Sequence, residues 1–235
     1  MGIRDGIPIC LGYISVSFAF GIFAVGSGLS VLEATLISLL NLTSAGQLAA
    51  VPIIAVGGSY IELVLTQLVI NLRYSLMSVS LSQKLGKSVR LRDRFLMAFA
   101  NTDEIFAVSH AGERPIGRRY FYGLMITPIV GWTGGTLLGA LAGNVLPELI
   151  TSALGIAIYA MLLAIFIPAS RADGKVALCV LVSVALSCIF YFVPVFSEIP
   201  SGFVIIICSV TASLVFALVC PVSERESGEG ESENA

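Results

Sequence analysis

The sequence predicts an all-α, polytopic helical membrane protein with roughly seven membrane segments, some of them broken or re-entrant. Hydrophobic residues make up 57% of the 235 residues and charged residues only 12%, about half the charged share of a soluble domain. The hydrophobic residues form continuous runs close to the roughly 20 residues that an α-helix needs to cross a bilayer. They do not alternate with polar residues as the strands of a membrane β-barrel do.

The distribution of charges and cysteines excludes several other classes of protein. The net charge is -2, with most basic residues between positions 84 and 119 and many acidic ones after position 222. This pattern predicts no basic surface broad enough to bind nucleic acid. The five cysteines have no CxxC spacing and lie in apolar runs, which predicts small buried side chains rather than a metal site or disulfides. We therefore expect neither a metal nor any other cofactor.

The first two apolar segments differ in their polar content. Residues 7–29 form a run longer than the apolar core of a signal peptide, which predicts a retained first span. Residues 31–56 contain a polar and small middle from Asn41 to Gln47, in which Gly46 weakens the helix. Two interpretations remain open there. One is a broken helix whose exposed backbone near Gly46 and whose Gln47 bind substrate near the membrane midplane. The other is a continuous, tightly packed helix with a hydrogen-bonded Gln47.

The third apolar segment, residues 60–85, carries a stripe of polar side chains at spacings of three and four, which places them on one helix face. They are Thr66, Gln67, Asn71, Ser75, Ser78 and Ser82. A polar stripe on a membrane helix faces a helix bundle or a cavity rather than lipid. Asn71 is therefore a predicted substrate ligand, and Arg73, beside the stripe, requires a partner.

Two adjacent carboxylates, Asp103 and Glu104, interrupt the apolar stretch 95–112. Acids in the hydrocarbon region are costly unless they meet a partner or water, so they indicate a functional site. We expect one of them to carry protons, with Arg73 as its partner. Consecutive side chains on a helix point about 100° apart, so the other acid should cap a half-helix or orient the first. The alternative is a hydrated loop between two short helices.

Basic residues set the predicted orientation. The segments 84–94, 114–119 and 171–175 are basic and should be cytoplasmic by the positive-inside rule. If Arg4 is also cytoplasmic and every apolar run crosses the membrane once, segment 84–94 would lie on the external side of the membrane. Either the N-terminus is external, or residues 31–56 enter the membrane and return on the same side. A break at Gly46 favours the second solution. The central stretch 95–112 has basic segments at both ends, so it can also enter and leave the membrane on one side.

Four further spans are predicted at residues 119–146, 148–168, 175–194 and 201–220. The first contains glycines at intervals of four, which lie on one helix face and offer a flat track to another helix, in this chain or in a partner. They are Gly131, Gly135, Gly139 and Gly143. Residues 223–235 are acidic and lack large apolar side chains, which predicts a disordered tail after a single membrane domain at 1–222.

Four motifs, in this order and spacing, resemble those of the AzlC family, the large subunit of branched-chain amino acid exporters. They are Gly6-Ile7-Pro8 with Phe18-Ala19-Phe20-Gly21, Ser44-Ala45-Gly46-Gln47, Asn71-Leu72-Arg73 with Leu76, and Thr102-Asp103-Glu104 with Phe106-Ala107. The resemblance runs to about position 220. It implies a permease of a bacterial or archaeal cytoplasmic membrane that exports leucine, isoleucine or valine. It also implies a small AzlD-type membrane subunit as partner.

The sequence therefore predicts a proton-coupled secondary transporter of hydrophobic amino acids. The predicted substrate-binding residues are Gly46, Gln47, Asn71, Arg73 and Thr102. An intramembrane enzyme is not expected, because the chain has a single histidine and no GxSxG motif. No ATP-binding GxxxxGK[ST] motif occurs either. A non-transporting assembly or channel subunit remains the alternative, since the glycine track suits it equally well.

Overall fold

The computed structural model describes residues 1–111, 115–143, 145–147, 163, 166–168, 170–196 and 198–219. These residues form helices and short connections, with no β-strand among them. Contacts divide the chain into two compact units, Met1–Leu163 and Ala164–Ala235. The predicted all-α polytopic class is confirmed. A single membrane domain at 1–222 stays a prediction, and the tail at 223–235 and most of the predicted span at 148–168 lie outside the described residues.

The helices of the first unit include three long ones and two pairs of short ones. They are α1 (Gly2–Gly26), α2 (Val31–Leu40), α3 (Ser44–Ala55), α4 (Tyr60–Lys84), α5 (Leu91–Phe99), α6 (Asp103–His110) and α7 (Arg118–Gly143). The second unit contains α8 (Gly174–Phe192), a short 3-10 turn (Pro194–Phe196) and α9 (Ser201–Val219). Among the described residues, α1, α4, α7, α8 and α9 are long and apolar enough to cross a membrane. The predicted spans at these places differ from the helices by only a few residues at each end.

Helices α1 and α7 pack closely along the glycine track. A Cβ placed at Gly131 would lie 2.8 Å from the carbonyl oxygen of Cys10, and one at Gly143 would lie 3.3 Å from the Cα of Ile22. At Gly139 an added Cβ would overlap the backbone of Phe18. The contacts advance by similar steps along both helices. Helices α1 and α7 therefore run parallel, and both begin on the same side of the membrane.

The end of α4 lies beside the start of α7. The Ile116 N–H donates to the Lys84 carbonyl oxygen at 2.9 Å, and the Gly86 N–H donates to the Ile116 carbonyl oxygen at 3.0 Å. Because α4 ends where α7 begins, α4 crosses in the direction opposite to α1 and α7.

The second apolar segment is broken, as one of the two interpretations predicted, but the break is not at Gly46. Helix α2 ends at Leu40 and α3 begins at Ser44. Asn41 and Thr43 are extended, and the Thr43 side chain accepts a hydrogen bond from the Gly46 N–H as the N-cap of α3. The polar cap, not the weak helix propensity of glycine, sets the boundary, because it satisfies a free N–H of the first turn.

The central stretch is also broken. Thr102 caps α6, accepting from the Ile105 N–H at 3.5 Å, so Asp103 and Glu104 occupy the first turn of a helix rather than a loop. Helix α5 begins near the start of α7, where the Tyr122 hydroxyl donates to Asp93 at 2.8 Å. Helix α6 ends near the end of α4, where the Lys84 ammonium donates to the His110 carbonyl at 2.7 Å. The α5–α6 pair therefore enters and leaves on one side.

These directions resolve the orientation question. Helix α1 leaves the side on which α7 starts, and α4 returns to that side. The α2–α3 pair connects the end of α1 to the start of α4, so it enters and leaves from the opposite side. With both pairs re-entrant, the basic segment 84–94 and the start of α7 share a side with Arg4. The structure therefore has the arrangement in which residues 31–56 enter the membrane and return on the same side.

Cysteine labelling tests this orientation. Ser88 lies exposed in the connection between α4 and α5, and Val56 lies 81% exposed between α3 and α4. In intact cells an impermeant maleimide should label Val56→Cys but not Ser88→Cys, and permeabilisation should expose Ser88→Cys. The unmodified chain gives the background from the native cysteines. Strong labelling of Ser88→Cys in intact cells would contradict a cytoplasmic location for this segment.

Candidate functional site

The two helix breaks meet at one cavity beside the middle of α4. The cavity has a volume of about 210 Å³. Its lining residues come from both breaks, from the short helices beside them and from α4: Leu40, Asn41, Leu42, Thr43, Asn71, Tyr74, Ala98, Phe99, Asn101 and Thr102. Asn71 and Tyr74 lie about halfway along α4. Because α4 is a candidate span, the cavity lies near the middle of the membrane.

Two side-chain carbonyl oxygens in this cavity lack a hydrogen-bond donor within the described chain. The Asn71 amide donates to Gln67 Oε1 at 3.2 Å, and the Asn101 amide donates to Ser78 Oγ at 3.3 Å. The Oδ1 atoms of both asparagines are buried without a partner, and Asn101 is only 2% exposed. An unsatisfied buried acceptor costs about 1–3 kcal/mol. Two of them on one cavity suit a ligand that carries N–H donors.

The same cavity contains the starts of two helices. Thr43 is the N-cap of α3, and Thr102 is the N-cap of α6. Free backbone N–H groups and the helix dipole favour an anion at such a position. The first turn of α6 already holds two acids, whereas the first turn of α3 holds none. An anionic group of a ligand therefore fits at α3, and a cationic group fits on the side of Asn101 and α6.

Gln67 fixes the first break against α4. Its Nε2 donates to the Gly46 carbonyl oxygen at 2.8 Å, and its Oε1 accepts from the Asn41 and Asn71 amides at 3.3 and 3.2 Å. A Cβ at Gly46 would lie 2.6 Å from Gln67 Oε1. The glycine thus allows α3 and α4 to approach closely, and its carbonyl is already paired.

Gln47 lies in a second, fully buried network. Its Nε2 donates to Ser38 Oγ at 2.7 Å and its Oε1 accepts from Trp132 Nε1 at 2.8 Å. Ser38 in turn shares a 2.7 Å hydrogen bond with Thr136. Gln47 therefore joins α2, α3 and α7, as in the interpretation of a packed, hydrogen-bonded glutamine. Direct contact between Gln47 and substrate stays a prediction.

The two acids face different partners. Arg73 Nη1 lies 2.8 Å from Asp103 Oδ2, with each side chain 44% exposed. The Arg73 Nη2 donates to the Tyr74 hydroxyl, which belongs to a cavity residue, at 3.1 Å. Glu104 instead accepts from the Tyr13 hydroxyl at 2.5 Å. Their side chains thus diverge, as expected for consecutive helical residues, while their roles in transport stay predictions.

Tyr13 connects Glu104 to the break. Its hydroxyl oxygen lies 2.8 Å from Thr102 Oγ1, and its ring packs edge-on against Trp132 at 5.1 Å between centroids. A phenol has one proton, so it donates to the carboxylate and accepts from the threonine. The chain Thr102–Tyr13–Glu104 links the cap of α6 to the second acid.

Sequence reasoning did not identify Asn101, Tyr13 and Trp132 as site residues. Asn101 had a detectable signal, because each break pairs an asparagine with a threonine N-cap: Asn41 with Thr43, and Asn101 with Thr102. Tyr13 lies in the apolar first span and carries no comparable signal.

The first six helices form two similar halves of opposite orientation. Helix α1 and helix α4 have 25 residues each. Each is followed by two short helices separated by three residues, the last of which is a capping threonine. Because α1 and α4 cross in opposite directions, the halves are arranged as inverted repeats, and the cavity lies where their broken helices meet.

Comparison with known proteins agrees with this description. The family model described as "AzlC protein" matches residues 8–146, more than half of the chain, including both breaks. An uncharacterized membrane protein of Archaeoglobus fulgidus is 36% identical over 170 residues, covering 71% of this chain and 74% of that protein. The inner membrane protein YgaZ of Escherichia coli K12 is 31% identical over 147 residues, covering 61% of this chain and 60% of that protein. No solved structure matches the chain. The chain is a multi-pass membrane protein that belongs to the AzlC family.

Proposed function

We propose that this protein is a secondary transporter subunit that exports branched-chain or similar hydrophobic amino acids across the cell membrane. One observation carries the proposal: a mid-membrane cavity between two opposed helix breaks, with unpaired acceptors on one side and a helix start on the other. Transporters built from inverted repeats bind their substrates at discontinuous helices near the midplane. Resemblance to the AzlC family supports the choice of amino acid, and the inner-membrane relative supports the location.

The chemistry of the cavity suits a zwitterion with a small apolar side chain. The ammonium group can donate to the Oδ1 atoms of Asn71 and Asn101, and the carboxylate can accept from the first N–H groups of α3. Leu40, Leu42 and Phe99 supply the apolar lining. The volume of about 210 Å³ lies below the roughly 300 Å³ at which pockets for drug-sized ligands begin, which favours a single small molecule.

Export against a gradient requires an energy source, and a proton is the source that these residues favour. Asp103 and Glu104 lie next to Thr102, the cap that lines the cavity. Intramembrane acids of this kind serve as proton relays in transporters.

We also propose a small AzlD-type membrane subunit as partner, on the strength of the family. Helix α4 leaves a row of large apolar side chains uncovered by the described chain: Ile61, Val64, Leu68, Leu72, Leu76 and Val79. Lipid or a small hydrophobic subunit can cover such a row. The alternative function, a non-transporting assembly or channel subunit, would use the same face.

Leucine counterflow in vesicles tests the substrate site. The protein should be reconstituted with and without a small AzlD-type membrane subunit. Asn101→Ala should raise the half-saturating leucine concentration about tenfold or more, since a hydrogen bond to a charged group contributes about 1.5–3 kcal/mol. Ser75→Ala removes an exposed polar group from α4 outside the cavity and should change that concentration less than about twofold.

Two outcomes would contradict the proposal. If Asn101→Ala and Ser75→Ala changed the half-saturating leucine concentration equally, the cavity would not be the substrate-binding site. The absence of saturable amino acid flux, with or without the small subunit, would favour the assembly-subunit alternative.

A further inference from the structure

A groove at the start of α7 combines guanidinium groups with apolar side chains. It has a volume of about 600 Å³. Its basic side chains are Arg92, Arg118 and Arg119, and its large aliphatic ones are Ile3, Leu96 and Ile126. The substrate cavity contains none of these residues, so the groove is a separate feature.

The groove lies at the membrane boundary. Arg118 and Arg119 are the first two residues of α7, a candidate span, and Ile126 follows about two turns, or roughly 12 Å, further along it. Ile126 is 51% exposed and Leu96 is 53% exposed. The lining therefore changes from basic to apolar in the direction in which α7 enters the hydrocarbon.

The carboxylate of the lining forms an ion pair with only one of the three arginines. Asp93 is 4% exposed, and its oxygens accept from the Arg90 N–H at 2.9 Å and from the Tyr122 hydroxyl at 2.8 Å. Arg118 lies 3.9 Å from it. Within the part of the chain that the structure describes, neither Arg92 nor Arg119 forms an ion pair with a carboxylate, although Asp93 attracts Arg92 electrostatically. Both guanidinium groups can therefore bind a further anion.

We propose that this groove binds an anionic phospholipid. The phosphate of the headgroup lies against Arg92 and Arg119, with Arg118 beside it, and an acyl chain lies along Leu96 and Ile126. Guanidinium groups bind phosphate through charge-assisted, two-pronged hydrogen bonds. Basic pockets between membrane helices accept lipid headgroups in this way. A zwitterionic lipid, with no net charge, gains less from the same arginines.

A competition assay on the purified full chain in neutral detergent tests the proposal. A fluorescent phosphatidylglycerol serves as the probe, and unlabelled phosphatidylglycerol, phosphatidylcholine and sodium phosphate serve as competitors. The double variant Arg92→Gln/Arg119→Gln leaves the Arg118–Asp93 pair intact. It should lower the affinity for phosphatidylglycerol roughly 30-fold.

The matched control is Lys87→Gln/Arg94→Gln, which removes the same number of charges from exposed positions outside the groove. It should keep the affinity of the unmodified chain, and phosphatidylglycerol should compete far better than phosphatidylcholine or phosphate. If both double variants lost the same affinity for phosphatidylglycerol, the lipid would be attracted to positive charge in general, and the proposed site would be overturned. Equal competition by sodium phosphate would identify a free-phosphate site and would overturn the lipid.

Discussion

The Gly139→Leu variant is expected to unfold at a temperature at which the unmodified protein is still folded. A Cβ at Gly139 would overlap the carbonyl group of Phe18 in α1. Backbone cannot move aside as a flexible side chain can, so α1 and α7 must separate along their length. Overpacking costs about 1–3 kcal/mol where side chains can yield, and we expect a loss at the upper end of that range or beyond.

The same helix supplies the control. A Cβ at Gly134 would meet nothing within 4 Å, so Gly134→Leu adds the same side chain to α7 without touching α1. Thermal unfolding of both variants in detergent should show a fall of roughly 6–12 °C for Gly139→Leu, at about 2–4 °C for each kcal/mol. For Gly134→Leu we expect little change. Equal midpoints for the two variants would mean that the glycine track does not determine how α1 and α7 pack.

The glycine track also illustrates what sequence can and cannot predict. Glycines at intervals of four predict a close helix contact because their spacing alone places them on one face of a single helix. The identity of the partner depends on which other helix offers a matching surface. In this fold α1 supplies it, with Gly6 and Gly21 facing α7 in return. The register, with Cys10 opposite Gly131 and Ile22 opposite Gly143, could not be read from either segment alone.

The helix breaks were predictable in kind but not in place. The polar residues inside an apolar run indicated an interruption. The break was predicted at Gly46 because glycine weakens helices. In the structure Gly46 lies in the first turn of α3 and allows a close approach to Gln67. Thr43 decides the boundary, because a capping hydroxyl stabilises a helix start. Both breaks follow this rule, which is a stronger signal than glycine content.

The candidate site was only half predictable for a related reason. Asn71 lies on the polar face of α4, whose periodicity is visible in the sequence, and Arg73 lies beside that face. Asn101 becomes a cavity residue only because the second break meets the first, about sixty positions earlier in the chain. Tyr13 meets Glu104 across a separation of 91 residues. Such contacts follow from the packing of opposed re-entrant pairs, which composition and periodicity do not encode.

Transport measured in vesicles should distinguish the roles of Asp103 and Glu104. Asp103 already has a cationic partner in Arg73 at 2.8 Å. Glu104 has the neutral Tyr13 instead, and no cation lies within ion-pair distance of it among the described residues. Asp103 is thus held by a fixed cation, whereas Glu104 is hydrogen-bonded only to a neutral group. We therefore expect Glu104, and not the partner of Arg73 as the sequence suggested, to take up and release a transported proton, and Asp103 to hold Arg73 in place.

Each variant then has its own expected outcome. Glu104→Gln should abolish proton-driven accumulation of leucine and preserve counterflow, because exchange moves no net proton. Tyr13→Phe removes only the hydroxyl that donates to Glu104, so it should reduce accumulation and leave counterflow intact. Arg73→Gln leaves Asp103 unpaired and should lower stability. The loss should be smaller than the about 3–5 kcal/mol of a fully buried pair, because both side chains are 44% exposed.

The decisive comparison is between Glu104→Gln and Asp103→Asn in the same vesicles, with accumulation and counterflow measured across a range of pH. If proton coupling depends on Glu104, Asp103→Asn should reduce both activities together, since it frees Arg73 beside the cavity residue Tyr74. Glu104→Gln should remove accumulation alone. Were both variants to keep full accumulation at every pH, neither acid would carry the proton. The Arg73–Asp103 pair and the Tyr13–Glu104 hydrogen bond would then serve only to hold the capped start of α6 against α4 and α1.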